Sequence, residues 1–385
     1  MPASAVRRES PATREDLAAA MGAAAKAGSP LRLVGGATKL GWGAAAAEPA
    51  LELSTARLDG VVEHNAGDLT AVLEAGVPLA AAQAAFAREG QMLSLDPPDG
   101  GATIGGVVAT NDSGPLRSRY GGARDLVVGA RVALSDGTIA RSGGKVIKNV
   151  AGYDVAKLFC GSFGTLGAIV EVSVRLHPLP PATVTAVGTA VEPEAIARAA
   201  NALARAPLEH HGFDVRWEQG RGTLLVRFAG AAPRPPAEGA AAMLREAGLH
   251  TGLADEDGEL WDAQRDSQRS AAGTVVRVSG VQTQLPAAIA AAERAGATLV
   301  GRVPLGLWWL GLDDRDAAEA AAAVEALRRD LHPSPCVVLD APAEVRAAVD
   351  PWGPLGEPFV ALMRRLKERF DPAGVCAPGT FAGGI

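Results

Sequence analysis

Hydrophobic and polar residues repeat with two different periods along this chain, and each period predicts a different kind of element. Period-two alternation in runs rich in β-branched residues predicts strands. These runs lie at 31–34, 51–54, 60–64, 70–76, 91–98, 126–134, 138–143 and 168–178. A helical repeat covers 13–27, where Thr13 supplies an N-cap and Gly28 a stop, and a second helix opens at Pro78.

The pattern changes at the proline-rich stretch 177–183, which we interpret as a domain boundary. Beyond it, strands alternate with alanine-rich segments that keep the helical period, a layout typical of helices packed on a sheet. A last helix with a Pro/Gly tail is predicted at 359–381. The sequence thus predicts an α+β protein with three parts, at 1–180, 181–345 and 346–385.

Composition narrows the range of functions. The net charge is -6 and no basic stripe occurs, so nucleic acid is not an expected partner. The three cysteines, Cys160, Cys336 and Cys376, form no C-x-x-C motif, so the chain lacks the usual thiolate ligands of an iron–sulfur cluster. No metal site is expected, and we expect the pair His210–His211 to be exposed.

The expected location is the cytoplasm, with attachment to the inner membrane only through partner subunits. No run of 18 apolar residues occurs, and the first residues lack the uninterrupted apolar stretch of a signal peptide.

Three glycine-rich segments stand out, at 35–43, 99–122 and 161–167. They contain neither the G-x-G-x-x-G fingerprint that follows a strand nor a P-loop. Several such loops together can wrap a dinucleotide, because exposed backbone N–H groups bind pyrophosphate. Turn glycines of a β-protein without a ligand are the alternative interpretation of each segment taken alone.

The segments "LRLVGGATKLGWG", "DPPDGGATIGGVVATNDSGPLRSRYGGARDLVVG" and "GSFGTLGAIVEVSVRLHP" resemble the FAD-binding domain of the vanillyl-alcohol oxidase / p-cresol methylhydroxylase (PCMH) type. With "GKVIKNVAGYDVAKLFCGSFGTLG", residues 10–180 resemble the FAD-binding subunits of bacterial glycolate oxidases. The stretches 258–268 and 369–379 also fit that family. The resemblance implies a two-lobed PCMH-type FAD-binding domain at 1–180. It also implies an α+β cap or substrate domain with an antiparallel sheet at 181–345, and a C-terminal helix and tail at 346–385 that return to the FAD domain.

Carried over residue by residue, the resemblance implies FAD contacts in all three segments. In chain order these are Gly35, Gly36, Ala37, Thr38, Lys39, Gly41, Thr103, Gly105, Gly106, Asn111, Ser113, Gly114, Gly161, Gly164, Thr165, Gly167, Ala168 and Ile169. Some family members tether the flavin through a histidine in the first loop. Here Thr38 stands near that position, so we expect non-covalent FAD.

The resemblance further implies oxidation of a small 2-hydroxy acid such as glycolate to a 2-oxo acid. The partners would be a larger flavin subunit and an iron–sulfur subunit that accepts the electrons. Arg117 and Arg277 are weak candidates for a substrate carboxylate, because arginine binds carboxylates in a bidentate fork. The alternatives are surface pairing of Arg117 with Asp125 or another acid, and an exposed strand face for Arg277. No residue identifies itself as the catalytic base. The segment H-x-G-D-G-N-x-H of the larger flavin subunits is absent.

Two alternatives stay open. The chain could be a stand-alone FAD-dependent dehydrogenase for D-lactate or another 2-hydroxy acid, or a non-catalytic subunit that keeps the FAD fold.

Some side chains have two interpretations. Lys145 is expected to be a solvated loop lysine, while a cation such as Lys148 near the flavin would stabilise its reduced ring. Asn149, Tyr153 and Asp154 contact the flavin or only fix a turn. The adjacent Trp308 and Trp309 are expected to divide between core and surface.

Overall fold

The computed structural model describes residues 6–98, 100–145, 153–313 and 315–385, and the chain divides into two compact units. The first unit comprises Met1–Ser113, Tyr120–Leu179 and Pro354–Ile385. The second comprises Gly114–Arg119 and Pro180–Gly353.

The α-helices of the described residues, in chain order, are α1 (Arg14–Ala27), α2 (Leu79–Ala87), α3 (Ile104–Thr110), α4 (Arg117–Tyr120), α5 (Ala123–Leu126), α6 (Pro193–Arg205), α7 (Arg234–Glu246), α8 (Gly258–Asp266), α9 (Leu285–Ala295), α10 (Ala317–Asp330), α11 (Ala343–Ala348) and α12 (Glu357–Phe370). Single turns of 3₁₀-helix lie at Val155–Leu158, Gln282–Gln284, Val303–Leu305 and Ala382–Gly384.

The strands are β1 (Arg7–Glu9), β2 (Leu31–Val34), β3 (Leu51–Ser54), β4 (Val61–Asn65), β5 (Thr70–Glu74), β6 (Gln91–Met92), β7 (Val127–Ala133), β8 (Ile139–Gly143), β9 (Ala168–Arg175), β10 (His177–Pro178), β11 (Thr183–Ala190), β12 (Gly212–Glu218), β13 (Arg221–Ala229), β14 (His250–Ala254), β15 (Thr274–Ser279), β16 (Thr298–Arg302), β17 (Leu307–Leu312) and β18 (Cys336–Val338).

The first unit is built on two larger sheets. A parallel sheet has the order β1-β3-β2, and an antiparallel sheet has the order β4-β5-β9-β7-β8. The short strands β6 and β10 pair separately. One apolar core lies under the antiparallel sheet and includes Phe86, Val107 and Phe159, and another joins α1 to the parallel sheet through Leu17, Met21 and Leu31.

The second unit is one eight-stranded antiparallel sheet with the order β14-β11-β13-β12-β16-β17-β15-β18. Its apolar core joins one sheet face, with Trp217 and Trp308, to helices such as α6, α9 and α10. The opposite face carries polar side chains, including Asp214 and Arg302, which are paired directly across β12 and β16. The α+β fold with a large antiparallel sheet that the sequence predicted is confirmed.

The pattern predicted most strands of the first unit to within two residues, but it missed β1, and two further stretches differ. Only Gln91–Met92 of the predicted strand 91–98 pairs with a neighbour, since Leu93–Pro98 runs into paired prolines. The glycine-rich stretch 99–122 contains the helix α3. This helix was not predicted because its β-branched and glycine residues have low helix propensity. Among the described residues, no helix is long and apolar enough to cross a membrane.

Candidate functional site

The first glycine-rich segment follows directly from strand β2 and lies against the second segment. A Cβ added to Gly35 would overlap the hydroxyl of Thr103, and one on Gly36 would overlap the carbonyl oxygen of Gly101. Gly36 and Ala37 are exposed at the outer side of this turn. The glycines therefore let two loops touch, and this close approach accounts for them without any bound group.

The second segment is organised by helix α3. The Thr103 hydroxyl caps the helix by accepting a hydrogen bond from the Gly106 N–H at 3.3 Å, and Asn111 closes it in the left-handed conformation. Gly105 packs so closely on the Ala75 backbone that a Cβ there would lie 2.7 Å from the Ala75 Cβ. The segment is thus a capped helix that presents Asn111 at its end.

The third segment lies against the end of that helix. The backbone N–H groups of Gly161 and Phe163 donate to the carbonyl oxygens of Val108 and Ala109 at 3.0 and 2.9 Å. A Cβ on Gly161 would lie 3.4 Å from the Cβ of Asn111. The structure therefore brings the first and third predicted segments together in the first unit with residues 100–113 of the second segment.

The chain's last residues complete the cluster. Leu31 of β2 donates to the Val375 carbonyl at 2.8 Å and accepts from the Ala377 N–H at 2.8 Å. The Lys367 ammonium on α12 donates to the carbonyl oxygens of Thr165 and Cys376 at 2.8 and 2.6 Å. It also pairs with Asp371 at 2.7 Å. The tail thus ties the first segment to the third.

Asp371 is a buried charge held by these partners. Burial on its own raises the pKa of this carboxyl, but hydrogen bonds from Lys367 and from the Cys376 N–H outweigh burial and hold the pKa below its usual value. The tail is therefore fastened by an ionised carboxylate at neutral pH.

Backbone strain concentrates in this cluster. Each predicted segment holds one non-glycine residue at positive φ: Ala37 at 58°, Asn111 at 50° and Phe163 at 55°. Ala377 in the tail adopts 43°. Such conformations cost free energy and persist at functional sites where the surrounding structure enforces them.

A buried ion pair joins the first two segments. The Lys39 ammonium lies 3.2 Å from Asp112 Oδ2, and both side chains are only 5% exposed. Lys39 also donates to the Thr38 hydroxyl at 3.3 Å and lies 5.7 Å from the Trp42 ring centre. The pair fixes Thr38 relative to the turn that follows α3.

One further observation, an unsatisfied buried oxygen, indicates that these residues fit a dinucleotide cofactor. Asn111 Oδ1 is buried, and among the described residues no hydrogen-bond donor reaches it. A buried acceptor without a donor is costly, and a ligand that donates to it removes the cost. Together with the strained turns around it, this oxygen marks where a bound group would contact the protein.

Other predicted FAD contacts, at the end of the third segment, are buried in the first unit or packed against its strands. Gly167 approaches the Ala133 carbonyl, while Ala168 and Ile169 are buried at the start of β9 and pair with Ala133 and Val132. Gly164 packs on Leu33 of β2.

Two predicted FAD contacts, Ser113 and Gly114, lie after helix α3 within the second segment. Ser113 donates its N–H to Asp112 at 2.9 Å. Gly114 belongs to the second unit, unlike the other predicted contacts.

The polar sheet face of the second unit carries residues that the sequence analysis missed. Arg302 is fully buried, with its guanidinium 4.3 Å from the Trp309 ring centre. Asp214 lies 3.9 Å away. Burial raises the pKa of Asp214 to about 6, although Arg302 and a hydrogen bond from Gln264 act to lower it. Arg277 was singled out because it is an arginine in an otherwise apolar strand. Arg302, the last residue of "TLVGR" (298–302), has the same feature and could have been found in the same way.

Arg277 is half-buried and lies opposite Trp309 in the register of β15 and β17. The expectation that the two tryptophans divide between core and surface is wrong. Trp308 is fully buried and Trp309 is 3% exposed, because Arg302 covers the second ring.

Arg117 is half-buried at the start of α4. The expectation of an exposed histidine pair is also wrong: His210 and His211 are half-buried, and burial, with Arg119 next, lowers the pKa of both rings. Among the described residues, no group of three or more histidine, cysteine or acidic side chains could hold a metal ion.

The loop before the third segment is described only in part. Lys145 is exposed and pairs with Glu63, as expected of a solvated lysine. Tyr153 is 93% exposed. The predictions for Lys148 and Asn149 lie outside the described residues.

Comparisons with known proteins agree with this arrangement. The family described as "FAD binding domain" matches residues 8–143. The glycolate oxidase subunit GlcE of Escherichia coli (strain K12) is 30% identical over 330 residues, which cover 83% of this chain and 84% of that protein. The D-lactate dehydrogenase of Archaeoglobus fulgidus is 37% identical over 170 residues, which cover 44% of this chain but 38% of that protein.

A solved structure of alkyldihydroxyacetonephosphate synthase has a TM-score of 0.69 at 16% sequence identity, covering 97% of this chain and 77% of that one. This likeness concerns the fold alone.

The fold and the matching family define an FAD-binding protein of the PCMH type with oxidoreductase relatives. Similarity to GlcE extends over most of both chains and beyond the FAD domain. The chain belongs to the family of FAD-dependent oxidoreductases that contains this glycolate oxidase subunit.

Proposed function

We propose that this chain is the FAD-binding subunit of a glycolate oxidase complex. The complex would oxidise glycolate, or a closely related 2-hydroxy acid, to the 2-oxo acid. The observation that supports the FAD site in this proposal is the meeting of three strained segments, one of which ends in the unsatisfied Asn111 Oδ1. The chain's coverage of 84% of GlcE supports the same assignment.

In this proposal the FAD domain comprises 1–180 with 346–385, and the substrate domain comprises 181–345. The exposed turn with Gly36 and Ala37, the end of α3 with Asn111, and the turn at Gly161 hold the cofactor. Bound FAD supplies the redox chemistry by accepting the electrons removed from the substrate. The protein's part is to hold these three turns together, and the ion pair of Lys39 with Asp112 does so in the interior.

We propose non-covalent attachment of the cofactor. Burial raises the pKa of the Cys160 and Cys336 thiols to about 11 and that of Cys376 to about 12. Thiols with such pKa values are protonated at neutral pH and are poor nucleophiles. Acid precipitation should therefore release all flavin into the supernatant, and flavin retained in the pellet would contradict the proposal.

Substrate recognition is assigned to the second unit. The polar face of its sheet carries Arg277 beside Trp309, and a guanidinium is suited to a substrate carboxylate. Arg117 is the second candidate. Substitution of Arg277 by methionine should raise KM for the hydroxy acid more than it lowers kcat, if the contact is equally strong in substrate and transition state.

The electrons are proposed to leave through an iron–sulfur subunit, beside a larger flavin subunit. An ordinary cluster needs four cysteine thiolates, and this sequence has three separated cysteines. The D-lactate dehydrogenase relative supports the alternative of a dehydrogenase that acts alone.

An anaerobic titration separates these functions. The purified chain should show flavin absorption bands. If glycolate bleaches them only after the two partner subunits are added, the complex is supported. Bleaching of the isolated chain by D-lactate identifies a stand-alone dehydrogenase, and bands that persist in the isolated chain indicate a subunit that depends on its partners. A colourless chain that takes up no FAD contradicts both flavin functions and supports a non-catalytic subunit that keeps the FAD fold.

A further inference from the structure

A fully buried arginine on the polar sheet face of the second unit requires an explanation. Arg302 ends strand β16 and has no exposed side-chain surface, and Asp214 opposite it is equally buried. Burying such a pair costs free energy that well-packed apolar side chains would avoid. Stability alone therefore gives no reason for arginine at this position.

The pairing with Asp214 is also loose. The Arg302 Nε lies 3.9 Å from Asp214 Oδ2, beyond hydrogen-bond range. Asp214 Oδ2 instead accepts from Gln264 at 3.2 Å, and no donor among the described residues reaches Oδ1. The carboxylate thus balances the charge of Arg302 without holding its donors.

The donors of Arg302 are directed elsewhere. Its Nε donates to the carbonyl oxygen of Gly114 at 3.3 Å, and its Nη2 donates to Gln268. The face of the guanidinium lies over Trp309, which favours a fixed planar orientation. The hydrogen bond to Gln268 and the contact with Trp309 fix the rigid guanidinium of Arg302. The guanidinium therefore holds the Gly114 carbonyl at a defined place.

Gly114 begins a segment with special connectivity. Gly114–Arg119 belongs to the second unit, although the chain on both sides belongs to the first. The preceding residues, Asn111 to Ser113, follow helix α3 within the second predicted FAD segment. An anchor at Gly114 therefore limits the positions that Asn111 can adopt.

We propose that Arg302 is a positioning residue for the cofactor site: by holding Gly114 it fixes the turn that presents Asn111. This inference rests on the proposed function. It assigns to the second unit a role in cofactor affinity that is separate from substrate recognition. A lysine cannot replace the arginine fully, because its single ammonium lacks the planar fork.

The test compares Arg302→Met and Arg302→Lys with a matched control, Asp257→Asn. Asp257 is 2% exposed and pairs with Arg227 at 2.7 Å in the same unit. It also accepts hydrogen bonds from Thr183 and Thr185. The control therefore disturbs another buried ion pair, one whose described partners lie on strands β11 and β13 and not in Gly114–Arg119.

Two quantities are measured: amide hydrogen exchange over residues 111–119 in the protein without FAD, and the dissociation constant for FAD. Arg302→Met should accelerate this exchange and weaken FAD binding, each by roughly tenfold, as the loss of a hydrogen bond from a charged donor predicts. Arg302→Lys should give an intermediate effect. Asp257→Asn should change neither quantity by more than about twofold.

Equal exchange rates in wild type and Arg302→Lys would overturn the proposal, and this comparison decides it if the methionine variant does not fold. Equal effects of the arginine variants and Asp257→Asn would also overturn it, since they would show only general destabilisation. If wild type binds no FAD, the proposed function fails, while the exchange measurement still decides whether Arg302 fixes the turn.

Discussion

At the scale of single residues, close approach of the backbone decides which side chains the site tolerates. Gly36 has no room for a Cβ because the Gly101 carbonyl lies there, and carbonyl oxygens of a packed loop cannot rotate away. The neighbouring Ala37 shows that left-handed backbone is enforced in the same turn. The first segment is thus held in shape by the second.

Gly36→Ala should therefore separate the two loops. We expect FAD affinity to fall by roughly tenfold or more, with a loss of about 1–3 kcal/mol in the free energy of unfolding, as for other overpacked sites. Fluorescence titration with FAD and urea unfolding measure the two effects. The control is Gly67→Ala, where the nearest atom to an added Cβ is 3.7 Å away; equal affinities in the two variants would contradict this explanation.

The raised pKa of Asp214 predicts how the free energy of unfolding depends on pH. Burial raises the pKa of this carboxyl to about 6 in the folded chain, against about 3.9 for an unperturbed aspartate. The folded state therefore keeps its proton to higher pH than the unfolded chain does, and the stability this supplies is lost as pH rises from about 4 through 6. Wild type should lose up to about 3 kcal/mol relative to Asp214→Asn over this range.

Urea unfolding of both proteins at several pH values between 4.5 and 7.5 measures that difference. Other titrating groups contribute equally to the two proteins and cancel. A difference that stays constant with pH would show that the pKa of Asp214 is not raised.

At the scale of elements, the sequence predicted strands better than it predicted loops. Strands β2, β3 and β9 follow apolar alternation, which depends on burial of one or both faces. Helix α3 escaped prediction because Gly105 and Gly106 lower helix propensity and Val107 and Val108 favour strands. Its existence depends on caps at both ends and on packing against Ala75, and neither is visible in a local pattern.

The candidate site was predictable only in part, because local sequence patterns show residue type and spacing but not contacts between distant residues. Its glycine-rich segments were found from residue type and spacing, and they do meet in the folded chain. Arg302 was missed because its partners, Gly114 and Gln268, lie 188 and 34 residues away. No short motif records contacts at such separations.

The C-terminal tail makes a prediction at this scale. Lys367→Met leaves the Asp371 carboxylate buried without its cation and removes the donor from two carbonyl groups. We expect a loss of roughly 3 kcal/mol at pH 7. The loss should shrink only below about pH 4, because the pKa of Asp371 in the folded state is lower than in the unfolded chain, and the stability that this gives wild type disappears as the pH falls through the lowered pKa.

The double variant Lys367→Met with Asp371→Asn provides the control. If the two side chains act as a pair, it should cost less than the sum of the single changes. Additive costs measured by urea unfolding would show that Lys367 acts only through Thr165 and Cys376.

At the scale of the whole molecule, two units with separate cores are expected to respond differently to a ligand. The first is assembled from three stretches of chain, so its site depends on residues as distant as Leu31 and Ala377. A ligand that binds only the folded state stabilises the unit that holds it, by about 2.7 kcal/mol at one hundred times its dissociation constant. FAD should therefore protect the first unit selectively.

Hydrogen exchange with and without FAD tests this expectation across the chain. Protection should appear in 35–41, 104–113 and 161–167 and in the tail at 375–381, because these segments support one another through backbone hydrogen bonds. Helices α6, α7 and α9, which pack on the apolar face of the second unit's sheet, should exchange at unchanged rates. Gly36→Ala should abolish the protection at the same FAD concentration. Protection confined to α6, α7 and α9 would place the cofactor in the second unit and contradict the assignment of the FAD domain to 1–180 with the tail.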